Sequence, residues 1–150
     1  MTRPIHAEVV EGNDVWFANR VTMPTGDVLT RTGTNGVQAE GGGAELIQVF
    51  IIMESVVGGN REVRKVLSVT TDANVAAYVF DSLEFDYWDG HDDIGYNFLY
   101  QLPATGTDSE GNAYILDGGN DYFVEFAIKT TNFGTIRWSA KLHVRGLHSL

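Results

Sequence analysis

The sequence predicts an all-β domain: a two-sheet antiparallel sandwich of seven or eight strands, immunoglobulin-like, with the jelly roll as the alternative topology. Three observations lead there. Short runs of alternating apolar and polar residues recur along the chain, clusters of glycine, asparagine and aspartate separate them, and helical periodicity is scarce. Antiparallel sheets with one wet face produce this alternation. With 150 residues, the chain has the size of one domain. A domain of this length buries about 70% of its unfolded surface, so one apolar core suffices without staples.

The first strand is expected in DVWFAN, 14–19, after an N-terminal arm over about 1–13. A turn at MPTGDVLT follows, with Pro24 and Gly26 supplying the turn chemistry. The loop TGTNGVQAEGGGAE, 32–45, holds five glycines and reads as mobile or ordered by a partner. ELIQVFIIMESVV, 45–57, is ambiguous. Leu46, Val49, Phe50, Met53 and Val57 fall at helical spacing, but Ile47, Val49, Ile51 and Ile52 are β-branched and the run is apolar on both faces. A central strand accounts for both features. It turns at VGGN into EVRKVLSVT, where Val63, Lys65, Leu67 and Val69 alternate with Arg64, Val66, Ser68 and Thr70, giving a hairpin.

VAAYVF, 75–80, is the next candidate strand, and GYNFLYQLP, 95–103, sets Tyr96, Phe98 and Tyr100 against Asn97, Leu99 and Gln101 before Pro103 ends it. The closing hairpin spans 121–146. In it Tyr122, Val124, Phe126 and Ile128 share one face, as do Ile136, Trp138, Ala140, Leu142 and Val144. A tail follows from about 146 to 150.

Charge is distributed unevenly. The chain has a net charge of −10, yet residues 66–128 carry twelve acids and no lysine or arginine, while 129–150 carry Lys129, Arg137, Lys141 and Arg145 and no acid. A long acidic segment repels phosphate backbones, so nucleic-acid binding is not expected. Cysteine is absent, which removes disulfides, zinc knuckles and thiol nucleophiles. The opening MTRPIHAEVVEGND has no apolar targeting core and no apolar run reaches membrane-spanning length, so a soluble protein made without a Sec-type signal is expected.

The string DYWDGHDDIGYNF, 86–98, most resembles a ligand cluster. Counted from Asp89 as a calcium loop, it places Ile94 where glycine belongs and Tyr100 where glutamate belongs. Asp89, Asp92 and Asp93 remain an irregular oxygen-rich alternative. The preferred reading is a solvated turn anchored by Trp88 and Tyr96, with no metal and no cofactor. TDSEGN, 107–112, reads as turn chemistry in the same way. Twenty acids supply a suitably spaced carboxylate pair by chance, so glycosidase chemistry gains nothing from them. G-x-S-x-G, H-E-x-x-H, the P-loop and G-x-G-x-x-G are all missing. No enzyme is expected. A carbohydrate platform needs exposed aromatic faces. Trp138 is in register with the core of its strand, and Trp16 is out of phase with Val15 and Phe17, so Trp16 is the candidate for exposure.

The last strand is the most asymmetric feature. Arg137, Lys141, His143 and Arg145 share the face opposite Trp138, giving a candidate partner interface. Lysine on an outer strand is equally accounted for as protection against edge pairing.

YWDGHDDIGYNFLYQLP, together with YFVEFAIKTTNFGTIRWSAKLHVRG, resembles small Ig-like modules of tailed-bacteriophage virions. The shared features are a glycine turn near the start (here PTGDVLTRTG), a D-x-x-G-Y-N-F-like strand, and a final hairpin with a Tyr-x-Val-Glu pattern. The resemblance covers 85–146. It implies a non-enzymatic virion part, either a head decoration (cement) protein or a tail or baseplate adaptor, with no catalytic residues to carry over. The implied partners are the phage major capsid protein or another virion protein, and further copies of the chain, with a trimer matching the local symmetry of a capsid lattice. Neither nucleic acid nor membrane is an expected partner.

Overall fold

The computed structural model describes residues 5–37, 47–57, 60–71, 78–86, 94–107, 111 and 113–147. Among these residues lie ten strands: β1 (Ile5–Val10), β2 (Val15–Asn19), β3 (Ile47–Val57), β4 (Asn60–Thr71), β5 (Val79–Glu84), β6 (Tyr96–Leu102), β7 (Thr105–Thr107), β8 (Ala113–Ile115), β9 (Asp121–Lys129) and β10 (Thr135–Arg145). One sheet has the order β1-β10-β9-β3-β4, a second β2-β6-β5, and β7-β8 form a small separate ribbon. In the ambiguous 45–57 segment, the described residues Ile47–Val57 are a strand, central in its sheet between β4 and β9.

The two larger sheets form a β-sandwich around one core, and their strand order can be set beside the immunoglobulin scheme. Strands β2, β6 and β5 take the places of B, E and D, and β3, β9 and β10 those of C, F and G, with β4 added beside C. A second mark is local. Tyr122, at the start of β9, is buried and its hydroxyl accepts the Asp117 N–H at 2.9 Å. That is the tyrosine corner of such folds. Without cysteines, strands B and F are joined by rings instead: Phe17 of β2 meets Phe126 of β9 edge-on at 5.5 Å.

The core lies between the sheets. Phe126 also receives Phe98 edge-on at 5.5 Å, and Trp138 of β10 stacks on it at 5.3 Å. Trp138 in turn meets Phe98 edge-on at 4.9 Å and donates its indole N–H to Asn19 Oδ1 at 3.2 Å. The predicted inner faces of β9 and β10 are buried, with Ile136 half-buried at the end of its row. The glycine in the TNFG turn is required by its backbone. Gly134 has φ +69 and its carbonyl accepts from both the amide and the hydroxyl of Thr130, at 2.9 and 2.7 Å.

Four expectations are corrected. The segment read as an N-terminal arm contains β1, and β1 runs parallel to β10 from Ile5↔Ala140 to Val10↔Arg145, so the sheet is mixed, not purely antiparallel. A hairpin forces antiparallel neighbours; β1 instead leaves for the opposite sheet through Glu11–Asp14, so its direction relative to β10 is not fixed by a turn. Alternation in 62–70 is interrupted: Ile51 pairs with Leu67 but Ile52 with Lys65, leaving Val66 as an extra residue. The strand read at 75–80 begins at Val79 and continues to Glu84, residues 75–77 lying outside the described residues. Finally, the start of the 32–45 loop is held in place. Thr131 N–H donates to Gly36 O at 3.0 Å, Val37 bridges Thr130, and Val37 is buried. Residues 38–46, the VGGN glycines, residues 1–4 and 148–150 lie outside the described residues.

Candidate partner-binding surface

Because side chains alternate along a strand, burying Trp138, Ala140, Leu142 and Val144 sends Arg137, Lys141, His143 and Arg145 to the opposite, outer face of the five-stranded sheet. All four predicted residues therefore stand in one row. The neighbouring strands set what they meet. Across β9, Arg137 is opposite Ala127, Ser139 opposite Glu125, Lys141 opposite Phe123 and His143 opposite Asp121. Phe50 of β3 lies opposite Glu125 from the other side.

The row is less basic in three dimensions than in sequence. His143 Nδ1 is 2.6 Å from Asp121 Oδ1, and Arg145 Nε is 3.1 Å from Glu8 Oε1 on β1. Such exposed pairs contribute about 0–1 kcal/mol each. Their consequence is electrostatic: a carboxylate stands against each basic side chain at the β1-proximal end of the row. Arg137 and Lys141 have no ion-pair partner among the described residues. Around them the surface is partly apolar, with Phe50 and Phe123 half-buried and Ala127 buried. A shallow depression of about 300 Å³ is lined here by Phe50, Glu125, Ala127, Arg137 and Ser139. Apolar side chains with an arginine at the centre and charges at the rim form the usual anatomy of a protein–protein contact.

Other candidates are placed as follows. Asp89, Asp92 and Asp93, with His91 and Trp88, lie outside the described residues, as do residues 108–110 and 112 of the second acidic loop. Trp16 is 42% exposed on the outer face of the three-stranded sheet, opposite Gln101, whereas Trp138 is only 6% exposed. Among the described residues the perturbed acid–base groups are two tyrosines, on β6 and β8. Burial pushes the Tyr100 phenol far up, with Tyr114 and Tyr78 adding to the effect, and burial followed by Asp14 raises Tyr114. Neither hydroxyl is poised for proton transfer near neutral pH.

Sequence reasoning missed Asn97. It lies on the face opposite Tyr96, Phe98 and Tyr100, yet it is 1% exposed. Its Oδ1 accepts the Val21 N–H at 2.7 Å, and its Nδ2 donates to Val21 O at 3.0 Å and Leu29 O at 2.8 Å. The side chain thus staples the 21–29 turn to β6. An asparagine among aromatic strand residues was the available signal, since amides are poor strand formers.

Compared with known proteins, the chain matches no family model, no curated protein and no solved structure. Among the described residues no helix is long and apolar enough to cross a membrane.

Proposed function

We propose that the chain is a non-enzymatic structural protein of a virion, a decoration (cement) protein that stabilises a tailed-phage head through protein–protein contacts. It is made in the host cytoplasm and ends on the outer capsid surface. Its partner is the major capsid protein or another virion protein, and it acts as a homo-oligomer, a trimer matching the lattice. The observation that carries this reading is the pair Arg137 and Lys141, without an ion-pair partner among the described residues, on the outer sheet face beside Phe50 and Phe123. Such a face suits an acidic neighbour, and repeated weak docking over many equivalent capsid sites sums to firm attachment.

The test is co-sedimentation with purified virions. Wild-type protein is expected with DNA-filled heads, and Arg137→Glu with Lys141→Glu should abolish this while the monomer stays folded. Unchanged association of the double variant would remove the interface. Recovery with tails in place of heads would assign the tail or baseplate adaptor role. A second reading, a carbohydrate- or calcium-binding module, draws on the exposure of Trp16. Glycan binding that is lost in Trp16→Ala, or a rise of several degrees in melting temperature with millimolar calcium, would favour it over the structural role.

A further inference from the structure

Among the described residues two asparagines are buried, and the fold treats them differently. Asn97 uses both its amide oxygen and its amide nitrogen on the 21–29 turn. Asn19, at the end of β2 and only 3% exposed, accepts the Trp138 indole N–H through Oδ1 at 3.2 Å. An indole nitrogen can only donate, so this bond fixes which way the amide is turned. Asn19 Nδ2 is then directed away from the indole nitrogen, and its two N–H groups meet no acceptor among the described residues. A buried donor in that position is costly, and native structures nearly always supply it with a partner.

Asn19 lines a cleft of about 490 Å³ between the chain leaving β2 and the first residues of β10. That size is typical of small-molecule sites, which run from about 300 to 1,000 Å³. Val21, Met23 and Ile136 give the cleft apolar walls, Trp138 adds an aromatic one and Arg137 stands at its edge. Among the described residues no aspartate or glutamate lines it. The wall built from the 21–29 turn is held from several directions. Gly26 N–H closes the turn onto Met23 O at 2.9 Å, Met23 N–H donates to Asp27 O at 2.7 Å, and Asn97 grips Val21. The cleft is therefore formed before any ligand arrives.

We propose that this cleft binds a small molecule with an apolar body that carries an amide carbonyl and a carboxylate a few bonds apart, the chemistry of an N-acylated aliphatic amino acid. The carbonyl accepts from Asn19 Nδ2, because a neutral acceptor enters a buried site at far lower cost than a charged one. The carboxylate stays at the edge, where the exposed Arg137 supplies the opposite charge. The aliphatic body covers Val21, Met23 and Ile136. This site does not rest on the functional proposal: it shares Arg137 with the outer sheet face, but Lys141 belongs to that face alone and separates the two.

The probe is N-acetyl-leucine, titrated into the isotope-labelled full chain and followed through side-chain amide and indole resonances. The Asn19 side-chain NH2 pair is expected to shift and to exchange more slowly, with the Trp138 indole N–H still protected. 4-Methylpentanoic acid, which keeps the aliphatic body and the carboxylate but lacks the amide, should bind about tenfold more weakly, the worth of one such hydrogen bond. Ile136→Trp fills the cleft without removing either partner of the Asn19–Trp138 bond, and it should lose at least tenfold in affinity with a melting temperature close to wild type. Lys141→Glu should bind as wild type. Equal binding of the two acids, wild-type affinity in Ile136→Trp, or an Asn19 pair unmoved at millimolar N-acetyl-leucine would overturn the proposal. So would shifts confined to Phe50, Phe123 and Lys141, which would assign the ligand to the outer sheet face.

Discussion

Replacing Asn97 by leucine tests the internal logic of the fold at one residue. Leucine nearly matches asparagine in size but neither donates nor accepts. Three hydrogen bonds disappear, and their partners fare differently. Val21 C=O keeps a donor, because Leu29 N–H also reaches it at 3.0 Å. Val21 N–H and Leu29 C=O lose their bonds to Asn97 in a site closed to water, where the asparagine itself is only 1% exposed. Each buried orphan costs about 1–3 kcal/mol, and the added apolar burial offsets part of that, so a loss of about 2–4 kcal/mol is expected. For a domain of this length that corresponds to a melting temperature about 5–15 °C lower. Calorimetry measures the loss, and hydrogen exchange at Val21 locates it, since that amide should change from slow to fast. Asn97→Asp refines the test. It keeps an acceptor for Val21 N–H but turns a carboxylate towards two carbonyls, which raises its folded pKa above the unfolded value. The native state then binds the extra proton, so this variant should gain stability as pH falls. A leucine variant within about 1 kcal/mol of wild type, with Val21 still slowly exchanging, would refute the staple.

Two further outcomes follow from the core. Trp138→Ala removes rings packed on Phe98 and Phe126 and leaves Asn19 Oδ1 without its indole donor, so a loss of about 3–5 kcal/mol is expected in chemical denaturation; a negligible change would mean the faces of β10 are reversed. Tyr100 holds its proton in the folded state well past the ordinary phenol value because it is buried, and the unfolded chain releases that proton first. Its stabilising effect is therefore complete below about pH 10 and is lost as pH rises further, by about 1.4 kcal/mol per pH unit for this one group. Tyr100→Phe should flatten the alkaline limb of a stability–pH curve by that slope, and an unchanged limb would contradict the burial argument.

The basic row was legible because strand periodicity is a local property. Once the even-numbered residues from Ile136 to Val144 are recognised as apolar, the odd-numbered ones have to face water, whatever lies across the sheet. The strand nature of 47–57 could be read for a related reason, since β-branching and apolarity on both faces describe a central strand directly. What those side chains meet was not legible. Glu8 neutralises Arg145 only because β1 lies parallel to β10, and that pairing has no turn to announce it. Asn97 defeats simple alternation because the turn it binds comes from residues 21–29, far away in the chain.

Local pattern, then, determined by itself that the chain is a β-sandwich, which residues of the closing hairpin are sealed, and which four basic residues share a surface. Tertiary structure alone decided which of those residues meet a carboxylate and which polar side chain is spent inside. The physical reason is that side-chain direction depends on a residue's own strand, whereas satisfaction of a charge or a backbone group depends on partners the sequence does not place beside it.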